Sequence, residues 1–261
     1  MTTSAANLAP EVPRVDILGV GVHALNMRTA VDTLEAAVLD GTRGYVAVTG
    51  VHGIMEAQDD PAFMEILNNS LLTTPDGMPT VWIGRHRGHR EMDRVYGPEL
   101  MPAVCYRSVR NRHSHFLYGG QPGVAEQLAD ALKTQVPGIR IVGTYTPPFR
   151  PLNAVEEEEL TAMLEELRPD YFWVGLSTPK QERFMARYSG RLPTTIMIGV
   201  GAAFDIVSGR VKDAPRWVKR SGMQWLHRLL QEPSRLWRRY LTNNPRFVWR
   251  LMLERRFPEA G

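Results

Sequence analysis

Four short segments of the chain place chemically active side chains beside glycine or proline. The first is Thr73-Thr74-Pro75-Asp76-Gly77, in which a carboxylate follows a strand-like stretch on a tight turn. A general base needs a fixed position within hydrogen-bonding distance of a substrate hydroxyl, and a turn at a strand end can provide it. Pro-Asp-Gly is also a common turn sequence, so a purely structural role for Asp76 and Gly77 is the alternative.

The second segment is a glycine-rich loop, Gly119-Gly120, between a strand-like and a helix-like stretch. Glycines let backbone N–H groups come close to a phosphate at a helix N-terminus. The loop does not match the G-x-x-x-x-G-K-[ST] pattern of a P-loop, and an ordinary connection is the alternative.

The third segment, residues 177–182, follows an apolar strand and has Pro179 where a helix would begin. Gln181 and Glu182 then lie in the first helical turn, close to the end of the sheet. The alternative is a capping box in which Thr178 pairs with Gln181, and both interpretations can hold at once.

The fourth segment, residues 199–205, also follows a strand. Small residues such as Gly201 let a ligand approach the backbone, and Asp205 could hold a ribose hydroxyl. Close packing of a helix on the sheet explains the small residues equally well.

The elements that must position these segments alternate between strand and helix patterns. Strands are predicted over residues 15–22, 45–49, 71–74, 115–118, 139–144, 171–174 and 195–198, and helices over residues 29–39, 61–67, 124–132, 154–167 and 180–188. This alternation indicates parallel βαβ units, so we predict an α/β fold with a mostly parallel sheet and helices on both faces. The four segments fall in strand-to-helix loops, where such sheets bind ligands. The charge-dense stretch 85–94 is predicted to be a mobile loop.

Composition excludes several classes of protein. The 261 residues are 43% hydrophobic and 23% charged, which excludes disorder, collagen and coiled coil as descriptions of the whole chain. Cys105 is the one cysteine, which excludes an intrachain disulfide and a cysteine-based zinc site and indicates a reducing compartment. The chain lacks both a signal-peptide pattern and an apolar run of the ~18–20 residues that a spanning helix needs, so we expect a cytoplasmic protein. Histidines without metal-ligand spacing and the absence of Asp-x-Asp favour a metal-independent mechanism.

Charge is distributed unevenly along the chain. Residues 210–261 contain 13 Lys and Arg against 4 Asp and Glu, a net charge of +9, whereas the first 209 residues carry −6. Four of the six tryptophans also lie there, on amphipathic patterns typical of elements that bind at a membrane surface. We predict a flexible tail at residues 1–14, an α/β domain at 15–209 and a basic helical appendage at 210–261. The alternative is a helical cap that packs on the body, and the two can coexist.

Seven sequence segments occur in a characteristic order between residues 15 and 241: VTGVHGIMEAQ, TPDGMP, RVYGPELM, FLYGG, GLSTPKQE, GVGAAFDIVSG and APRWVKRSGMQWLHRLLQEPSRLWRRYL. Together they resemble the WecB/TagA/CpsF family of bacterial glycosyltransferases, also called glycosyltransferase family 26. The resemblance implies a Rossmann-like catalytic domain with a helical appendage that docks on the membrane. It also implies inverting transfer of a sugar from a UDP-sugar to a sugar on a polyprenyl diphosphate. The product would be a cell-surface polysaccharide such as exopolysaccharide, capsule or teichoic acid.

Individual site residues carry over from this resemblance. Asp76 matches the family's proposed base, Thr49 a pocket threonine, and Arg94 an arginine thought to contact the diphosphate. The residues that match segments around the nucleotide are Gly77, Gly119, Gly120, Gln181, Glu182, Gly201, Phe204 and Asp205. The residues assigned to the membrane or to the lipid diphosphate are Arg216, Lys219, Arg220, Trp225, Arg228, Arg235, Trp237, Arg238 and Arg239. Val51 departs from the pattern, since many members have asparagine there.

The expected partners are a UDP-sugar co-substrate, a polyprenyl-diphosphate-linked sugar acceptor and the anionic inner face of the cell membrane, with no cofactor, metal or nucleic acid. A homo-oligomer is an alternative to a monomer. One different function class is a non-enzymatic nucleic-acid-binding protein that uses the basic segment, although no known nucleic-acid-binding motif is present. Another is a nicotinamide-dependent oxidoreductase, although the first strand region lacks the third glycine of G-x-G-x-x-G.

Overall fold

The computed structural model describes residues 12–256, apart from the side chains of Arg235, Arg255 and Arg256. Residues 1–11 of the predicted tail lie outside the described residues. Arg14 already belongs to a strand. The stretch predicted as β-rich, residues 15–22, forms two antiparallel strands, β1 (Arg14–Ile17) and β2 (Val20–His23), because Leu18 and Gly19 adopt positive φ angles of 55° and 81°. Two successive residues with positive φ angles form the tight two-residue turn that is typical of β-hairpins.

A six-stranded parallel sheet forms the centre of the molecule. Its strands are β3 (Gly44–Thr49), β4 (Leu72–Pro75), β5 (Ser114–Gly119), β6 (Arg140–Tyr145), β7 (Tyr171–Gly175) and β8 (Ile196–Gly199), in the order β4-β3-β8-β7-β5-β6. Every neighbouring pair is parallel, and each strand begins within one residue of its predicted start. The carboxyl ends of all six strands therefore meet at one edge of the sheet.

Helices cover both faces of this sheet, which confirms the predicted α/β fold class. The body contains α1 (Met27–Leu39), α2 (Val51–Asp59), α3 (Pro61–Asn68), α4 (Met78–His86), α5 (Gly97–Asn111), α6 (Val124–Gln135), α7 (Ala154–Leu167), α8 (Lys180–Tyr188) and α9 (Ala203–Val207). Alternate strand residues enter different cores. Trp173 packs with α1, α5, α6 and α9, whereas Phe172 packs with α7 and α8, and both side chains are fully buried. Burial on both faces explains the continuous apolar runs of the strands.

The charge-dense stretch 85–94 is more ordered than a mobile loop would be. Arg85 and His86 form the last turn of α4. The Arg85 Nε donates to the carbonyl oxygen of Met92 at 2.8 Å, and the Met92 side chain is fully buried. The sequence pattern fails here because one buried methionine anchors an otherwise charged segment.

The C-terminal segment forms three helices, α10 (Arg216–Arg220), α11 (Gln224–Gln231) and α12 (Pro233–Arg256), and packs on the body. Phe247 is 4% exposed in a core shared with α2, α3 and the β1–β2 hairpin. Arg246 donates to both carboxylate oxygens of Asp59 at 2.9 and 2.6 Å. Large apolar side chains remain exposed elsewhere on the segment, among them Trp217, Leu230, Trp237, Leu241, Trp249 and Met252. Among the described residues, no helix combines the length and apolar character needed to cross a bilayer.

Candidate active site

A cleft of about 850 Å³ lies beyond the carboxyl ends of the strands. One wall consists of the loops that follow β3, β4, β5, β7 and β8, together with α4. The C-terminal helices α11 and α12 and the turn that joins α10 to α11 form the opposite wall. The appendage therefore completes the cleft instead of standing apart from it.

Asp76 lies at the end of β4, and the backbone holds it there. Its N–H donates to the carbonyl oxygen of Thr49 at 3.0 Å, and the N–H of Val95 donates to the carbonyl oxygen of Pro75 at 2.8 Å. The backbone N–H of Gly97 also favours the ionised form of the carboxylate, which lowers its pKa. Asp76 and the adjacent Gly77 both line the cleft. The predicted turn is thus present, and it presents a rigid carboxylate to a ligand-sized cavity.

Burial raises the pKa of Asp76 to about 6, because enclosure removes water that would stabilise the charged form. The guanidinium groups of Arg94 and Arg228 act in the opposite direction and favour ionisation. A carboxyl whose pKa lies near the working pH is a better base than an ordinary aspartate and is still mostly ionised at pH 7.

Arg94 belongs to a network of charged and aromatic groups beside Asp76. Its guanidinium carbon lies 4.4 Å from the ring centroid of Tyr96, and its Nη1 donates to the Gln224 Oε1 of α11 at 2.5 Å. Glu99 contacts both Arg94, at 3.4 Å, and the Nζ of Lys219, at 2.6 Å. The Arg94 side chain is only 8% exposed, so its position is fixed by these contacts. The network joins the body side of the cleft to the appendage.

Thr49 lies one layer behind the cleft. It is 3% exposed, and a Cβ added to Gly53 would lie 3.0 Å from its methyl group. Its neighbours Gly50 and Val51 line the cleft, whereas the Thr49 carbonyl oxygen accepts the Asp76 N–H. The Thr49 backbone therefore supports Asp76, whereas its side chain is not part of the cleft wall.

The glycines of the second segment allow the backbones of β5 and β7 to approach one another. Gly119 has a φ of 129°, and a Cβ there would lie 2.6 Å from the carbonyl oxygen of Gly175. Gly120 has a φ of 78° and lines the cleft. Phe204, which is 1% exposed, packs against both Gly175 and Gly120 and forms part of the cleft floor.

Gln181 and Glu182 lie at the start of α8, in a polar cluster buried beside the cleft. Thr178 donates its hydroxyl to the Glu182 Oε1 at 2.8 Å, and Gln181 donates to the same oxygen at 3.0 Å. The alternative capping box is therefore wrong, because the Thr178 hydroxyl is bonded to a carboxylate and not to the helix backbone. Burial raises the pKa of Glu182. Among the described residues, the Gln181 Oε1 beside Gly201 has no hydrogen-bond partner, and Gln181 lines the cleft.

The remaining predicted residues divide into two groups. Gly201 and Asp205 line the cleft, and Asp205 also lies 3.6 Å from the Nε of Arg210. From the appendage, the cleft wall contains Lys219, Trp225, Arg228 and Arg239. The candidates whose described side chains lie outside the cleft wall are Arg216, Arg220, Trp237 and Arg238. The side chain of Arg235 lies outside the described part of the chain.

Sequence reasoning missed His52, which lines the cleft at the start of α2. Its Nδ1 lies 3.0 Å from the amide nitrogen of Asn243 on α12, and burial together with Arg239 lowers its pKa to about 4. His52 and Asn243 are 191 positions apart, and no sequence pattern indicates that they pair. Within residues 12–256, no three His, Cys, Asp or Glu side chains are grouped closely enough to hold a metal ion.

Comparison with known proteins places the chain in a family. Residues 15–261 match the Glycosyl transferase WecG/TagA/CpsF family. One relative is the N-acetylglucosaminyldiphosphoundecaprenol N-acetyl-beta-D-mannosaminyltransferase of Bacillus spizizenii strain W23, which is 30% identical over 84% of this chain and 82% of its own length. The enzyme of the same name from Bacillus subtilis strain 168 is 30% identical over 83% of each chain. The chain therefore belongs to the WecG/TagA/CpsF family of glycosyl transferases.

Proposed function

We propose that this glycosyltransferase moves a sugar from a UDP-sugar to a sugar carried on a polyprenyl diphosphate, with inversion and without a metal ion. The observation that carries the proposal is the enclosed carboxylate of Asp76, which faces the cleft beside Arg94 and Arg228. In this reaction an acceptor hydroxyl forms a bond to the anomeric carbon as the bond to UDP breaks. Asp76 takes the hydroxyl proton, and UDP leaves with the bonding electron pair.

The negative charge that develops on the departing diphosphate needs compensation. Arg94 and Arg228 are the groups we assign to it, because guanidinium binds phosphate oxygens in pairs and keeps its charge. Backbone N–H groups in the Gly120 loop, which precedes α6, would add to this stabilisation. The presence of both guanidinium groups on the cleft wall supports a mechanism in which no metal ion is needed for charge compensation.

The names of the two relatives suggest the first substrates to test. They transfer N-acetylmannosamine to N-acetylglucosaminyl diphosphoundecaprenol, so we propose an amino-sugar transfer of this type in cell-surface polysaccharide synthesis. Val51 gives this cleft an apolar side chain where many family members have asparagine. A screen of UDP-sugars should therefore accompany the test with UDP-N-acetylmannosamine.

The decisive experiment measures sugar transfer to a lipid-linked acceptor in EDTA. Wild-type protein should transfer, whereas Asp76→Asn should lose about 10²–10⁴-fold in kcat and keep UDP binding, measured by calorimetry, because only the proton acceptor is removed. Asp130→Asn, on an exposed part of α6, is the matched control and should behave as wild type. Near-normal turnover of Asp76→Asn would refute the assignment of the base. Activity that requires an added divalent ion would refute the metal-free mechanism.

A further inference from the structure

One end of the cleft is a groove with apolar walls, which the transfer chemistry described above does not use. We call it the α4–α12 groove. Its walls are six apolar side chains, three from each helix: Met78, Trp82 and Ile83 from α4, and Phe247, Val248 and Leu251 from α12. Ile83 and Leu251 pack against the same buried cluster, which contains Phe247, so this cluster closes the bottom of the groove.

The upper part of the groove leaves apolar surface exposed. Phe247 is 4% exposed, whereas Trp82 and Val248 are both 49% exposed. The Trp82 indole is held in place by the turn between α10 and α11, where a Cβ on Gly222 would lie 2.6 Å from the ring. Fixed apolar surface inside a cleft is typical of a binding site for an apolar group.

The groove begins where the reacting groups are. Asp76 immediately precedes Gly77, the N-cap of α4, and the groove wall runs along that helix from Met78 to Ile83, about 7.5 Å at 1.5 Å per residue. On α12, the residues that line the cleft change from Arg239 and Asn243 to Phe247 and Leu251 along the chain. Along these two helices the cleft therefore presents Asp76 and cationic groups first and an apolar channel after them.

A lipid-linked acceptor has its chemical groups in the same order: a sugar hydroxyl, a diphosphate and a hydrocarbon chain. A nucleotide sugar has no group that would gain from leaving water for an apolar channel. We infer that the α4–α12 groove binds the first isoprene units of the acceptor's polyprenyl chain, an inference that rests on the proposed function. Charge complementarity with Arg239, which precedes the apolar lining residues on α12, fixes the orientation, because the acceptor's diphosphate must lie at the cationic end.

Calorimetric titration without vesicles or detergent tests this inference. Wild-type protein is titrated with farnesyl diphosphate and, separately, with inorganic pyrophosphate, and it should bind the farnesyl compound about tenfold more tightly or better because the tail is buried. Val248→Asp should abolish this preference, so that the two compounds bind about equally, because it places a charge against the tail. Trp82→Ala should reduce the preference partly. Val155→Asp, which alters a 63% exposed valine on α7, should keep the wild-type preference.

The outcomes distinguish failure of the groove assignment from failure of the proposed transferase function. Equal wild-type affinity for the two compounds, or a farnesyl preference that Val248→Asp retains, would overturn the assignment of the groove to the polyprenyl chain. A second assay compares N-acetylglucosaminyl diphosphate with its farnesyl ester as acceptors, and transfer to both with equal kcat/KM would also overturn the groove while supporting the transferase. A farnesyl preference that Val248→Asp removes would support the groove, even if no UDP-sugar is transferred and the proposed function fails.

Discussion

At the scale of single residues, the groups around Asp76 act on its pKa in opposite directions. Enclosure raises its pKa, whereas Arg94 and Arg228 stabilise its ionised form, and burial has the larger effect. The same two cations are placed to interact with a substrate diphosphate. In the mechanism that we propose, one arrangement of groups thus both tunes the pKa of the base and binds the leaving group.

The pH dependence of transfer should report this pKa. Because the pKa of Asp76 is raised to about 6, protonation removes the base below that pH, and kcat/KM should fall about tenfold per unit as the pH is lowered further. The profile is measured with wild type over the range in which the protein stays folded. A profile that stays flat through pH 6 would contradict the role of Asp76.

Asp76→Asn should not be less stable than wild type at neutral pH. A carboxyl whose pKa is higher in the folded than in the unfolded state favours folding most when protonated, and this advantage is lost as the pH rises through about 6. Removal of the charge therefore relieves a cost at pH 7. Thermal melting at pH 7 checks this, and a lower melting temperature for Asp76→Asn than for wild type would indicate that the carboxylate stabilises the fold.

Much of the site could be predicted from the sequence because strand ends in a parallel sheet meet. Asp76, Gly120 and Gly201 follow three different strands, and all three line one cleft. The contribution of the appendage was harder to predict in detail. Nine of its residues were candidates, but only the packing of α11 and α12 places Arg228 and Arg239 in the cleft and leaves Arg238 outside its wall.

At the scale of elements, α12 both packs on the body and contributes side chains to the cleft wall. The side that faces the body is anchored by Phe247 and by the paired hydrogen bonds from Arg246 to Asp59. The sequence shows the apolar periodicity of α12, but periodicity alone does not indicate which of its apolar residues pack on the body and which remain exposed. The hairpin shows a similar limit, since a single β-rich stretch concealed a turn at Leu18 and Gly19.

Phe247→Ala should loosen α12 without unfolding the sheet. Removal of a buried phenylalanine costs about 3–5 kcal/mol, and this loss falls mainly on the docking of one helix. Hydrogen exchange should therefore accelerate in α12 and remain slow in β7. Val155→Ala, at a 63% exposed position on α7, should change neither rate. Acceleration of exchange throughout the molecule would show instead that α12 and the sheet unfold as one unit.

At the scale of the whole molecule, charge and exposed apolar surface are concentrated in the same segment. Residues 210–261 carry a net charge of +9, and part of this charge is directed into the cleft by Lys219, Arg228 and Arg239. On the outside, Trp237 and Trp249 remain 47% and 63% exposed. We propose that this outer surface docks on an anionic membrane, which would bring the cleft to the lipid-linked acceptor.

The double variant Trp237→Ser/Trp249→Ser should bind vesicles that contain anionic lipid about tenfold more weakly than wild type. The reason is that each indole gains about 1 kcal/mol or more when its exposed part leaves water, and a tenfold change corresponds to about 1.4 kcal/mol. Phe149→Ser, an 82% exposed aromatic outside the appendage, is the control and should bind as wild type. Binding is measured by co-sedimentation, with neutral vesicles and with added salt, both of which should weaken it because each basic residue near the surface contributes about 1 kcal/mol. Vesicle binding that is equal for the double variant and wild type, and insensitive to salt and lipid charge, would mean that the exposed tryptophans and the basic segment do not dock on a membrane.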